Sequence, residues 1–218
     1  MGLVLGEGGI YPGGHDFLVA LMQVLANAGG TIFVDEIQTF GRTTAPFAYQ
    51  YFDLDQYVQV ATVGGMMPLC ATLFTGEFKP DPGLISQTFT ASNSTLGVAQ
   101  TVLDALCNGD FFGPDGRVAR LAKRLVNRLE SIAACHPEWV RGSFGLGAMV
   151  AFTPFDGRPD TAKILLSAQF DAGPIAFVTG ADPARVRSLV PMGCVGEKDI
   201  DADCDILERT LGKIAQPI

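Results

Sequence analysis

The stretch Thr31-Ile32-Phe33-Val34-Asp35-Glu36-Ile37-Gln38-Thr39-Phe40-Gly41-Arg42-Thr43 runs from a β-branched and aromatic segment straight into an acidic pair, then into a Gly-Arg-Thr turn. Such a run predicts a buried strand with acids at its carboxyl end. Upstream, Phe17, Leu18, Leu21, Val24, Leu25 and Ala28 recur at helical spacing, and Gly29-Gly30 supplies the stop. Downstream, Val58–Val63 and Leu69–Thr75 predict two further strands around a Gly64-Gly65 turn, followed by a Pro/Gly-rich loop from Lys79 to Gly83. Strand and helix signals therefore alternate, the pattern of an α/β chain.

The rest of the sequence continues in the same way. A helix is expected over Leu96–Cys107, closed by Asn108-Gly109, and Phe111–Gly116 forms a turn-rich joint. That joint divides the chain into residues 1–112, part of a large domain, and 113–218, a small C-terminal α/β domain. In the second part Val118, Leu121, Ala122, Leu125, Leu129 and Ile132 make one apolar stripe. Arg117, Arg120, Lys123, Arg124 and Arg128 crowd its other side and are expected to form a solvated face. Ala148–Thr153, Ile175–Val178 and Val186–Val190 predict strands, alternating with helices over Asp160–Ala172 and Asp199–Ile214.

The 218 residues carry 15 Lys+Arg against 23 Asp+Glu, a formal charge of −8, with no basic block. That leaves no electrostatic footprint for nucleic acid. Gln56–Gly76 lacks charge, but its glycines, Pro68 and threonines fit two strands better than a membrane span. No secretory leader is expected at Met1. Five scattered cysteines without a C-x-x-C pair and only two histidines argue against a metal centre, and the cysteines read as reduced apolar fillers of a cytoplasmic protein.

An acidic pair closing an apolar strand has two familiar uses. The metal-binding acid of a P-loop NTPase needs a G-x-x-x-x-G-K-[ST] loop, which this chain lacks. The other use is to pair with the pyridinium nitrogen of pyridoxal 5'-phosphate (PLP), keeping the ring protonated as an electron sink. Asp35 would take that role, and Gln38, three residues on, could reach the ring's phenolic oxygen. A purely structural acid satisfies the same D-x-x-Q pattern.

The context resembles class III (fold type I) PLP-dependent aminotransferases. Gly6-Glu7-Gly8-Gly9, a helix, and Asp35-Glu36-Ile37-Gln38-Thr39 followed by Gly41-Arg42-Thr43 resemble that family's GEGG and DE[VI]QTGxGRT segments, one residue short between Thr39 and Gly41. Phe47-Ala48-Tyr49-Gln50-Tyr51-Phe52 resembles its FAxxHF segment, Val140-Arg141-Gly142 its entry to the small domain, and Val186-Arg187-Ser188-Leu189-Val190-Pro191 the strand whose arginine receives a substrate carboxylate. The resemblance implies the second half of a fold type I large domain, a mostly parallel sheet with helices, plus the small domain. It implies Asp35, Gln38 and Thr88 as PLP contacts, Thr88 reaching the phosphate across a dimer, and Arg187 with Glu7 as substrate contacts. The implied activity transfers an amino group from an amino donor to a keto acid or aldehyde.

Two departures qualify that activity. Gly65 stands where the resemblance places the Schiff-base lysine, in Ala61-Thr62-Val63-Gly64-Gly65-Met66. Glycine can neither anchor the cofactor nor shuttle a proton. The family's first half, which carries the phosphate loop and the ring-stacking aromatic, has no counterpart in these residues. The expected cofactor is therefore PLP without covalent attachment, and the expected partner is a second copy or a complementary N-terminal half, alongside a small-molecule amino donor or acceptor. Three functions fit: a transaminase segment impaired on its own, a non-catalytic dimerisation or interaction remnant, or a PLP enzyme of another reaction type such as an aminomutase or decarboxylase.

Overall fold

The computed structural model describes residues 1–85 and 92–215. In chain order the elements are β1 (Val4–Leu5), β2 (Tyr11–Pro12), α1 (His15–Asn27), β3 (Phe33–Asp35), α2 (Ala48–Tyr51), β4 (Val60–Val63), β5 (Ala71–Phe74) and α3 (Asn93–Asn108). They continue with α4 (Arg117–Cys135), β6 (Val140–Leu146), β7 (Met149–Pro154), α5 (Pro159–Ala172), β8 (Phe177–Thr179), β9 (Arg185–Leu189) and α6 (Glu197–Ala215). The chain forms two compact units. The first holds Met1–Leu3 and Gly13–Gly113; the second holds Val4–Pro12 and Pro114–Ile218.

In the first unit β3, β4 and β5 form one sheet in that order. Of its two pairings, β3–β4 is parallel, the kind expected, and β4–β5 is antiparallel. The antiparallel pair turns through Gly64-Gly65, which lies between the two strands as the glycines suggest. Along β3 and just beyond it, burial alternates: Ile32, Val34 and Glu36 are buried, while Phe33 and Asp35 are exposed. Phe33 pairs with Val60, and Val60 with Phe74, so Phe33 and Phe74 lie on the same, uncovered face. Phe40, Val63, Met67, Ala99 and Leu106 make a core in this unit, to which α3 contributes.

The second unit is built on an antiparallel sheet ordered β6-β7-β9-β8. Every residue of β7 is buried, as a central strand covered on both faces requires. The apolar stripe of α4 is buried as its spacing predicts, through Val118, Leu121, Leu125, Leu129 and Ile132. The opposite side of α4 is not a plain solvated face. Arg124 forms a two-pronged bond with Asp201 (2.7 and 2.6 Å), Arg128 bonds Asp205 at 2.5 Å, and Arg117 donates to the carbonyls of Met192 and Val195 (2.6 and 2.7 Å). The arginines thus fasten α4 to α6 and to the segment before it. β6 was not anticipated as a strand, because Gly142 and Gly145 interrupt its pattern, and its pairing with β7 shifts register between Arg141 and Phe144.

The cysteines also depart from expectation. Cys70, Cys107, Cys135 and Cys194 are exposed, and Cys204 alone behaves as an apolar filler, burial pushing its thiol up to about 12. Among the described residues no group of His, Cys, Asp and Glu could hold a metal ion, and no helix is long and apolar enough to cross a membrane.

Candidate functional site

The expected site residues fall in both units, and each unit is taken by itself. In the first, the acid pair splits. Glu36, not Asp35, is the buried member: it is wholly inaccessible and accepts hydrogen bonds from the Thr39 hydroxyl and from the N–H groups of Ala48 and Tyr49, both at 2.9 Å. Burial pushes its carboxyl above the ordinary range, against the pull of those three donors. Glu36 ties the end of β3 to the first amides of α2, a structural role that a negative charge at a helix N-terminus suits.

Asp35 is exposed, which corrects the expectation of a buried carboxylate there. The reason is period-2 alternation, which sends position 35 to the face opposite Val34 and Glu36. Its Oδ1 is nonetheless oriented, accepting from the Ile37 N–H at 3.0 Å and the Thr62 hydroxyl at 3.4 Å. Gln38 follows at the same strand end, where its carbonyl accepts from Arg42 Nη1 at 2.7 Å. Arg42 is a residue whose role the sequence did not suggest: it is buried, and that burial lowers its pKa.

Gly65 packs against this cluster. Its backbone is left-handed, with φ of 63°. A Cβ added there would lie 2.5 Å from the Ile37 carbonyl oxygen and 3.6 Å from Arg42 Nη1. Both observations favour glycine: the dihedral is one that side chains adopt rarely, and the close contact is with backbone, which yields less readily than a flexible side chain. Thr88 lies outside the described residues.

In the second unit the structure brings Glu7 and Arg187 together. Glu7 Oε1 is 2.8 Å from Arg187 Nη2; the glutamate is largely open to solvent, and the arginine is only 8% exposed. Arg187 Nε and Nη1 are buried without hydrogen-bond partners. The segment carrying Glu7 is pinned in place, with the Thr179 hydroxyl donating to the Gly6 carbonyl, the Gly180 N–H to the Glu7 carbonyl (2.9 Å) and Arg185 Nη1 to the Gly9 carbonyl (2.5 Å). Ile10, fully buried against Val4, Met149 and Ala151, anchors the segment from the other side at an unusual φ of 59°.

Arg185 is the second residue missed. It lies two positions before Arg187 on β9, hence on the same face, and its guanidinium stacks on Phe144 at 3.5 Å and Tyr11 at 4.3 Å. The Arg-x-Arg spacing was the available signal. Chemically, the second unit offers a buried guanidinium paired with a solvent-exposed carboxylate. The first offers an oriented carboxylate at a strand tip near a crowded glycine.

Residues 3–211 match the family described as "Aminotransferase class-III". The acetylornithine aminotransferase of Mycolicibacterium smegmatis is 29% identical over 98% of this chain and 53% of that protein. The diaminobutyrate–2-oxoglutarate aminotransferase of Rhizobium meliloti is 28% identical over 91% and 44%. Among solved structures, the lysine aminotransferase of M. tuberculosis superposes with a TM-score of 0.83 at 21% identity, covering 97% of this chain and 48% of that one. The ornithine aminotransferase of Plasmodium yoelii gives 0.82 at 17%, covering 98% and 56%. The chain thus has the fold type I architecture and spans about half the length of the proteins it matches.

Proposed function

This chain belongs to the class III aminotransferase family, and from that premise we propose that it retains the carboxylate-recognising side of an aminotransferase site without performing the transfer by itself. Residues 1–112 correspond, in this reading, to part of the PLP-binding domain and 113–218 to the small domain, although Val4–Pro12 group with the second compact unit. Class III aminotransferases such as acetylornithine aminotransferase are PLP-dependent. When bound, PLP supplies a protonated ring that withdraws electrons from the substrate carbon.

The residues of this chain fit that group only in part. Asp35, its Oδ1 held by Ile37 N–H and Thr62, would be the carboxylate to pair with a ring nitrogen, with Gln38 at the same strand end. The covalent anchor does not fit. In this reading Gly65 stands in the lysine's place, and the observation that supports it is its backbone: with φ of 63° and the Ile37 carbonyl oxygen 2.5 Å from an added Cβ, a side chain there would require the backbone to shift.

Arg187 supports the other part of the proposal. Its partner is a carboxylate, that of Glu7, and a planar guanidinium with two further buried, unpaired nitrogens suits a substrate carboxylate in the same place. The family reaction passes an amino group from an amino donor to a keto acid or aldehyde, and the relatives are named for acetylornithine, diaminobutyrate and lysine, all amino acids or their derivatives. A small amino or keto acid is accordingly the ligand class for Arg187, and the cytoplasm is the proposed compartment.

A second reading, in which the chain persists as a dimerisation or interaction module, is favoured by the uncovered face of Phe33 and Phe74. Its partner would be another copy or a complementary N-terminal half.

The test of impaired catalysis is direct. The purified chain is incubated with PLP, its visible spectrum recorded, and the mixture reduced with borohydride and mapped by mass spectrometry. No stoichiometric pyridoxyl label at a single lysine and no consumption of an amino donor is expected. A label at one lysine accompanied by turnover overturns the proposal.

A further inference from the structure

The helix-side face of the second unit carries a cleft unrelated to Arg187. Ser188 follows Arg187 on β9 and so points to the opposite face. There a cleft of about 270 Å³ runs between β9 and α6, walled by Val190, Pro191, Ile200 and the exposed Ile175, with Ser188 and Asp203 also lining it. A second, narrow hollow of about 20 Å³ shares Ile175, Ser188 and Asp203 and is lined further in by Gln169 and Leu207. The two make a wide mouth of mixed character, lined also by Asp199, with apolar walls at Val190, Pro191 and Ile200 and a small polar end.

The polar end is under-satisfied. Gln169 is 3% exposed, and its Oε1 is buried without a hydrogen-bond partner, a situation native interiors avoid unless something else is bound there. The acids of α6 point the same way. Asp201 and Asp205 are taken by Arg124 and Arg128, and Asp199 accepts from the Gly196 N–H at 2.7 Å. Among the described residues Asp203 has no hydrogen bond or ion pair, though it is half-buried, and that burial holds its carboxyl above the usual range.

We propose that this cleft binds a small primary alkylammonium, the nitrogen seated between the Asp203 carboxylate and Gln169 Oε1 and the hydrocarbon stem lying along Val190, Pro191 and Ile200. A carboxylate, an amide oxygen and the Ser188 hydroxyl offer acceptors to the three N–H groups of a tetrahedral ammonium. The narrow end has room for one water-sized group, which suits a compact ammonium and not a planar guanidinium. The mouth is apolar enough to desolvate a short chain and open enough to admit it.

The test titrates the uniformly ¹⁵N-labelled full chain with n-butylammonium chloride, n-butylguanidinium or n-butanol and follows backbone and Gln side-chain resonances. Saturable shifts centred on Gln169, Ser188 and Asp203 are expected for butylammonium, with butylguanidinium at least fivefold weaker and butanol silent. Asp203→Asn is expected to weaken butylammonium binding tenfold or more, and Gln169→Met severalfold. Asp160→Asn, an exposed acid at the start of α5, serves as the control and leaves binding unchanged. Because Asp203 is an unpartnered half-buried acid, Asp203→Asn is also expected to melt no lower than the wild type at pH 7, so its loss of binding is separable from unfolding. Equal shifts from butanol, wild-type affinity in Asp203→Asn, or a lowered melting temperature in that variant each overturn the assignment.

Discussion

The two units treat their charges differently. In the second, Arg187 already meets a carboxylate, since Glu7 is delivered to it by a segment pinned through Thr179, Gly180 and Arg185. In the first, the corresponding charge, Asp35, is oriented by Ile37 and Thr62 but left open to solvent. Their sheets differ in the same sense: β7 is buried at every position, whereas Phe33 and Phe74 share an uncovered face. The Arg187–Glu7 ion pair is completed inside one small unit. Asp35 makes no ion pair among the described residues of its own unit, and the relatives are about twice this length.

The contrast predicts very different costs for similar deletions. Leu165, on α5 and wholly buried, should lose about 2–5 kcal/mol of stability as Leu165→Ala, because the cavity it leaves relaxes only partly. Phe74→Ala, on the open face, should cost roughly 0.5 kcal/mol or less. Urea unfolding followed by circular dichroism measures both. A cost at Phe74 approaching that at Leu165, growing with protein concentration, would mean that the face is covered by a second copy in solution.

Glu36 tests whether the first unit is held by its own buried network. Glu36→Ala leaves the Ala48 and Tyr49 N–H groups and the Thr39 hydroxyl without their acceptor, a loss of about 3 kcal/mol. The pH dependence sharpens this. Since burial raises the Glu36 pKa in the folded state, its protonated form is the one that folding favours. The resulting stabilisation is fully present below the unfolded value near 4.5 and is lost as pH rises through the higher folded value. Wild-type stability measured against Glu36→Gln should therefore decline from acid toward neutral pH and then level. A rise over that window would show that the three donors outweigh burial.

Much of this was legible in the residues, and the failures have physical causes. Periodicity located α1, α3, α4, α5 and α6, because each carries an apolar stripe or a clear stop. The order of burial in Asp35-Glu36 was misjudged although the signal was present: Ile32 and Val34 face inward, so position 36 continues their row and position 35 does not. Motif resemblance drew attention to the aspartate and away from that count. The crowding at Gly65 could not be read at all, since a sequence shows glycine but not the φ of 63° or the carbonyl of Ile37 beside it. The arginines of α4 looked like a solvated face because their partners, Asp201 and Asp205, lie some 77 positions away.

The smallest expected effect returns to the pair that distinguishes the second unit. Arg187 is buried but Glu7 is largely solvent-exposed, so water solvates the glutamate once it is displaced, and its competition with an incoming carboxylate is set at about 1 kcal/mol, the upper end for exposed pairs. Glu7→Gln should accordingly tighten binding of a small dicarboxylate such as glutarate by up to about fivefold, the factor that corresponds to 1 kcal/mol. Arg187→Met should remove that binding. Calorimetric titration of the three proteins at low and moderate salt reads the difference directly, and the advantage of Glu7→Gln should shrink as salt screens the exposed partner. If Glu7→Gln instead weakens glutarate binding, the glutamate shapes the site more than it blocks it, and the second unit is no more complete on its own than the first.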